Sequence, residues 1–170
     1  MRNALVTHRF PGRGKDFTRV LLRQAVPMGD NNRMPPEGEI RSNRRPVLVV
    51  EDSENAAAML EIALSHIPEV TIVLASSASE AWRILSGAGP SIRAIVTDLN
   101  MPRMDGFELI RRIRADGRLS GTPVVVVSAD TDPGTPERIA RLGVNAFFAK
   151  PFSPAEVRQK LEQILNATTD

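Results

Sequence analysis

Five apolar runs, separated by helix-length amphipathic segments, predict a doubly wound parallel α/β sheet. Two observations carry that expectation. Val47-Leu48-Val49-Val50 and Val124-Val125-Val126-Val127 are apolar at every position, as strands covered on both faces must be, where a half-exposed strand would alternate. The intervening segments repeat apolar residues at three- and four-residue spacing, so each connection reads as a crossover helix that returns the chain in the same direction.

The regular part begins at Pro46, and Val47 to Val50 run into Glu51-Asp52. A helix comes next from about Ser53, with Met59, Leu60, Ala63, Leu64 and Ile67 expected inward, and stops at Pro68. Val70 to Ala75 is the second strand, and Ser77 opens a helix that Gly87 and Gly89 end. Arg93 to Thr97 is the third strand, followed by Asp98, a loop and a helix from Gly106 to about Asp116. The fourth strand ends at Ser128. Thr135-Pro136 is expected to cap a short helix with Ile139 and Leu142, closed by Gly143. Asn145 to Ala149 is the fifth strand, followed by Lys150-Pro151. Ser153-Pro154-Ala155-Glu156 is a capping box opening a last helix with Val157, Leu161, Ile164 and Leu165 inward.

Residues 1–45 differ in character from residues 46–170. They hold 10 Lys and Arg against 4 Asp and Glu, a balance of +6, whereas residues 46–170 hold 12 against 16, a balance of −4. Gly and Pro interrupt the front segment repeatedly, so it is expected to be a basic, disordered extension of a domain spanning 46–170. Within it Asp16 to Val26 places Phe17, Val20, Leu21 and Gln24 on one helical face and fits a short helix, too short to be stable alone. Gly12-Arg13-Gly14-Lys15 fails as a phosphate loop, because position 9 is Arg9 and position 16 is Asp16. Basic content alone does not make a nucleic-acid arm, and no direct DNA binding is expected. Met28 and Met34 are alternative starts, with the residues before them then not native.

The absence of cysteine excludes disulfides and thiolate metal sites and leaves the redox compartment open. No apolar run approaches the ~20 residues that cross a bilayer, and the first residues lack the apolar core of a secretory signal. A soluble cytoplasmic protein without membrane contact is the expectation.

A parallel sheet gathers all strand C-termini at one edge. That edge receives Glu51 and Asp52, then Asp98, Ser128 and Lys150, from four different strands. Each has a bland reading: a helix cap for the carboxylates, a turn residue for Ser128, a solvated charge for Lys150. Their convergence argues against all of these together. Clustered carboxylates repel one another unless a cation is present, and hard oxygen donors with room for water suit Mg2+. A lysine and a hydroxyl beside such a group supply what a phosphoryl group needs.

From about Pro46 to Ala167 the chain resembles the receiver domain of response regulators in two-component signalling. The family's marks stand here as Glu51-Asp52, as Asp98-Leu99-Asn100-Met101-Pro102-Arg103-Met104-Asp105-Gly106, as Ser128-Ala129, and as Lys150-Pro151-Phe152. The resemblance implies a flavodoxin-like fold of five parallel strands in the order 2-1-3-4-5 with five helices. It implies Asp98 as phosphoacceptor and Mg2+ held by the Asp52 and Asp98 carboxylates, the Asn100 backbone carbonyl and, through water, Glu51. Ser128 and Lys150 would contact phosphoryl oxygens, Phe147 with Ser128 would form the switch, and the Lys150-Pro151 bond would be cis. The expected function is that of a stand-alone response regulator, not an enzyme, phosphorylated by a histidine kinase or phosphotransfer protein. Only Asn166 to Asp170 follow the last helix, so its output is expected to pass through a downstream protein or a phosphorelay. The short fourth helix is expected to be displaced most, within a readout face of roughly residues 136–166. Two alternatives are a receiver-like adaptor that is not phosphorylated and a haloacid-dehalogenase-type phosphatase. The latter needs an acid two residues after its nucleophile, where Asn100 stands.

Overall fold

The computed structural model describes residues 20–21 and 44–168. In chain order the elements are β1 (Val20–Leu21), β2 (Arg45–Val50), α1 (Glu54–Leu64), β3 (Val70–Ala75), α2 (Ala78–Ser86) and β4 (Ala94–Thr97). They continue with α3 (Gly106–Ala115), β5 (Val124–Ser128), α4 (Thr135–Arg141), β6 (Ala146–Ala149) and α5 (Pro154–Ala167). The sheet order is β1-β3-β2-β4-β5-β6. The last five are parallel, so β2 to β6 form the expected 2-1-3-4-5 arrangement. This is a flavodoxin-like α/β fold.

Burial tracks the apolar runs. Val47 to Val50 are at most 1% exposed, and β4 and β5 are buried throughout. Alternate residues of the strands feed two cores. One, with Leu48, Val50, Ile95, Val124 and Val126, is covered by α2, α3 and Ile139 of α4. The other, with Val47, Val49, Val96, Val125 and Val127, is covered by α1 and α5. Each side chain so buried contributes about 1.5–3 kcal/mol, which is why an all-apolar strand is stable only in the middle of this sandwich.

Three expectations need correction. Val20 and Leu21 are extended, not helical, and pair antiparallel with Val73 and Ile72 at the edge of β3. Unpaired strand-edge groups offer a short segment hydrogen bonds that an isolated helical turn cannot match; the rest of Asp16 to Val26 lies outside the described residues. Met59 is not inward. It is 48% exposed, and Ile62 is 64% exposed, because only the narrow stripe of Leu60 and Leu64 faces the sheet. Thr135 does not cap α4: the helix starts one residue earlier than expected, placing Gly134 at the N-cap and Thr135 inside.

Candidate functional site

Asp98 leaves the end of β4 directly into a tight turn. Its Oδ1 accepts from the Leu99 and Asn100 N–H groups at 2.5 and 3.0 Å, and Gly106 N–H donates back to the Leu99 carbonyl at 2.9 Å. That closure needs Gly106, because a Cβ there would collide with the Asp98 carbonyl oxygen and the Leu99 Cα. The Asp105 side chain then caps α3, accepting from Glu108 N–H at 2.7 Å. The carboxylate is thus 5% exposed and fixed by its own backbone.

The neighbouring strands complete the site. The Ser128 hydroxyl, from β5, donates to Asp98 Oδ1 at 2.6 Å. The Lys150 ammonium, just after β6, donates to Asp98 Oδ2 at 2.6 Å and to Glu51 Oε2 at 2.8 Å. Glu51 also accepts from Ser53 N–H at 3.2 Å through Oε1, which ties it to the start of α1. Glu51, Asp52 and Asp98 can bring one carboxylate oxygen each within 4.8 Å of the others. Asp52 is the exposed member. Phe147 on β6 is half-buried against the core that α3 and α4 share. The Lys150–Pro151 peptide is cis. Asn100 is exposed and contributes its N–H to Asp98.

The electrostatics come from one ammonium bonded to two of three clustered carboxylates. Burial pushes the Asp98 carboxyl up, but the Lys150, Ser128 and Asn100 donors outweigh it and hold it below the usual carboxylate range. At Glu51 burial wins over Lys150 and raises the carboxyl. Burial pushes the Lys150 ammonium down, and its hydrogen bonds to Asp98 and Glu51 more than reverse that. Charge is left over: a hard, all-oxygen cluster with an exposed member fits a divalent cation.

Two groups escape a reading of the sequence for converging side chains. Asp130 and Asp132 lie in the loop after Ser128 and bond its backbone; their signal is the alternation Ser-x-Asp-x-Asp-x-Gly from 128 to 134. Arg114 donates to four carbonyls, a role that an arginine in a helix's last turn does not advertise.

No helix among the described residues is long and apolar enough to cross a membrane. Residues 47–162 match the family model described as the response regulator receiver domain. Chemotaxis protein CheY1 of Helicobacter pylori is 35% identical over 121 residues, covering 70% of this chain and 95% of that protein. The crystal structure of a response regulator receiver protein from Pseudomonas putida superposes with a TM-score of 0.64 at 32% identity, covering 71% of this chain and 97% of the other. The Mn2+-bound form of response regulator Rcp1 shares the fold at 23% identity and a TM-score of 0.62, covering 71% and 91%. With the buried aspartate, its lysine and hydroxyl partners and the acidic cluster on the same strand edge, the chain belongs to the response regulator receiver family, a signalling module of two-component systems and not an enzyme.

Proposed function

We propose that Asp98 is the phosphoacceptor of a stand-alone response regulator, charged by a histidine kinase or a phosphotransfer protein in the cytoplasm. The observation that carries this reading is the unequal holding of its two oxygens. Oδ1 takes three donors, two of them backbone N–H groups, whereas Oδ2 takes only the Lys150 ammonium. Oδ2 is therefore the oxygen free to attack. It forms the new O–P bond as the N–P bond of a phosphohistidine breaks and the imidazole leaves with the bonding pair. Lys150 then follows the phosphoryl group, and the Ser128 hydroxyl turns from Oδ1 to a phosphoryl oxygen. Both are donors at the place where charge builds up.

Glu51, Asp52 and Asp98, with the Asn100 carbonyl, would hold Mg2+, whose role is to neutralise the phosphoryl oxygens and the crowded carboxylates. Exposed Met59 and Ile62 on α1, the helix that starts beside Asp52, suit docking by the phosphodonor protein. Phe147, half-buried beside the α4 core, is the aromatic that would follow Ser128, and the output goes to a downstream protein or relay. Residues 46–170 form the functional unit, with 1–45 as an appendage.

Incubation with Mg2+ and acetyl phosphate tests this reading. The expected outcome is an acid-stable, base-labile label on Asp98, absent in Asp98→Asn and undiminished in a chain reduced to 44–170. Equal labelling of Asp98→Asn would sink the assignment.

A further inference from the structure

The hydrogen bonds that start at Asp98 do not end at Ser128. The Ser128 hydroxyl donates to Asp98 Oδ1 at 2.6 Å and accepts from Asp130 N–H at 3.3 Å. Asp130 Oδ1 accepts from Asp132 N–H at 2.8 Å, and Asp132 Oδ1 accepts from Gly134 N–H at 2.8 Å. The Gly134 carbonyl in turn accepts from Arg138 N–H at 3.1 Å, inside the first turn of α4. Each step up to Gly134 joins a side-chain oxygen to the N–H two residues on. The result is a staircase of one Ser turn and two Asp turns, built on positions 128, 130, 132 and 134.

The two ends of α4 are held in different ways. At the start, Gly134 has no side chain to cap the helix. The Thr135 hydroxyl is buried there without a hydrogen-bond partner, an arrangement poised for rearrangement. At the far end Arg114 of α3 reaches across. Its Nε and Nη2 donate to the Leu142 and Gly143 carbonyls, each at 2.9 Å. Its Nη1 donates to the Ser120 and Thr122 carbonyls at 3.1 and 2.9 Å. A half-buried guanidinium with four carbonyl acceptors is a rigid anchor, since each broken bond strands a charged donor.

We propose that Asp130 and Asp132 are positioning residues that carry the state of Asp98 to α4, which turns about its Arg114-anchored C-terminal end. This rests on Asp98 being the phosphoacceptor. When the Ser128 hydroxyl leaves Oδ1, the acceptor of Asp130 N–H moves with it. Asp130 shifts, its carboxylate carries Asp132, and Asp132 carries Gly134. Loop residues joined only by their backbone would absorb a displacement of an ångström or less in soft φ and ψ. Short side-chain links at every second residue leave that loop few independent dihedrals, so the displacement reaches the helix. The Thr135 to Arg138 turn moves, and Leu142 to Gly143 stays.

Beryllofluoride, a phosphoryl mimic, tests this in the intact chain. Fluorine NMR reports whether the mimic occupies Asp98, and amide hydrogen exchange reports α4. In the unaltered protein, exchange at 135–138 should change several-fold and at 141–144 by less than twofold. In Asp132→Ala and in Asp130→Ala the bound fluorine signal should persist while the change at 135–138 falls by at least half. Asp132→Asn keeps an Oδ1 acceptor and should restore the response, which a role for the negative charge alone does not allow. Arg114→Met should spread the change to 141–144. A full response at 135–138 in both alanine variants with the mimic bound, or an Asn variant as deficient as Ala, would overturn the staircase. Absence of a bound fluorine signal in the unaltered protein would instead overturn the phosphoacceptor reading, and this proposal with it.

Discussion

Helices α3 and α4 both come after strands that end at the site, yet they are attached to it in opposite ways. The chain from Asp98 to α3 folds back on itself, with Gly106 bonded to Leu99 and packed on the Asp98 backbone. The helix has an Asp105 cap and buries Gly106, Phe107, Leu109, Ile110 and Ile113 over ten residues. Helix α4 has seven residues, no side-chain cap, and only Thr135 and Ile139 buried. Its Arg138 guanidinium lies 3.7 Å from the centre of the Phe107 ring, a contact that slides more readily than a packed core side chain. The contrast separates two tasks. One helix start fixes the carboxylate that must be aimed, and the other is left light enough to be moved by it.

The largest effect should come from loading the fixed side. In Gly106→Ala the new methyl meets backbone on both contacts, the Asp98 carbonyl oxygen and the Leu99 Cα, neither of which can rotate away. Overpacking of this kind costs about 3 kcal/mol or more. Urea denaturation measures it, and a loss under about 1 kcal/mol would show that the Asp98 turn accommodates a methyl group as readily as Gly134 does.

Next comes the charge set that the fixed side holds. In the metal-free protein Asp98 is kept below its ordinary 3.8, despite burial, by Lys150, Ser128 and Asn100. Its contribution to stability is therefore complete above 3.8 and disappears as pH falls through the lower folded value. Lys150 is raised above its ordinary 10.5 by Asp98 and Glu51, against its own burial, so its contribution is complete below 10.5 and disappears as pH rises through the raised value. Glu51 acts oppositely. Burial raises it from 4.5, so folding favours its protonated form, and the associated stability is lost as pH rises through the folded value. Glu51→Gln should then stabilise the metal-free protein at pH 7, with the gain vanishing below pH 4.5. Thermal melts across that range check the sign. A variant less stable than the parent at pH 7 would mean that the Lys150 bond outweighs burial at Glu51.

The fold was legible where composition alone determines it. Val47 to Val50 and Val124 to Val127 have no stable place except between two helical layers, which dictated their strands and a parallel sheet, while the strand order came only with the family resemblance. The site was legible because a parallel sheet collects its strand ends, which joined Ser128, Asp98, Lys150 and Glu51 in one chain of hydrogen bonds. The misses have a common cause. Met59, Thr135 and the Val20–Leu21 pairing depend on neighbours outside the segment or on its exact ends: a narrow helix contact, a helix starting one residue early, and an open strand edge. Spacing within one segment holds no record of these. Asp130 and Asp132 were visible as an alternation, but a search for converging side chains does not look for side chains that bond their own loop.

The smallest effect should come from adding the same methyl group to the loose side. Gly134 has φ −79 and ψ −13, a right-handed conformation that any residue adopts without strain. A Cβ there would lie 3.3 Å from Asp132 Oδ1, a side-chain atom able to give by a few tenths of an ångström. Against that crowding, alanine narrows the unfolded ensemble, which alone stabilises by about 0.4–1 kcal/mol. The two terms nearly cancel, so Gly134→Ala should move stability by no more than about 0.5 kcal/mol in either direction, read from the same urea titration as Gly106→Ala. The pair is informative because the mutation is identical and only the neighbours differ: backbone at Gly106, one movable carboxylate at Gly134. Comparable losses at the two glycines would mean that the start of α4 is held as firmly as that of α3, and that the helix cannot be the part that moves.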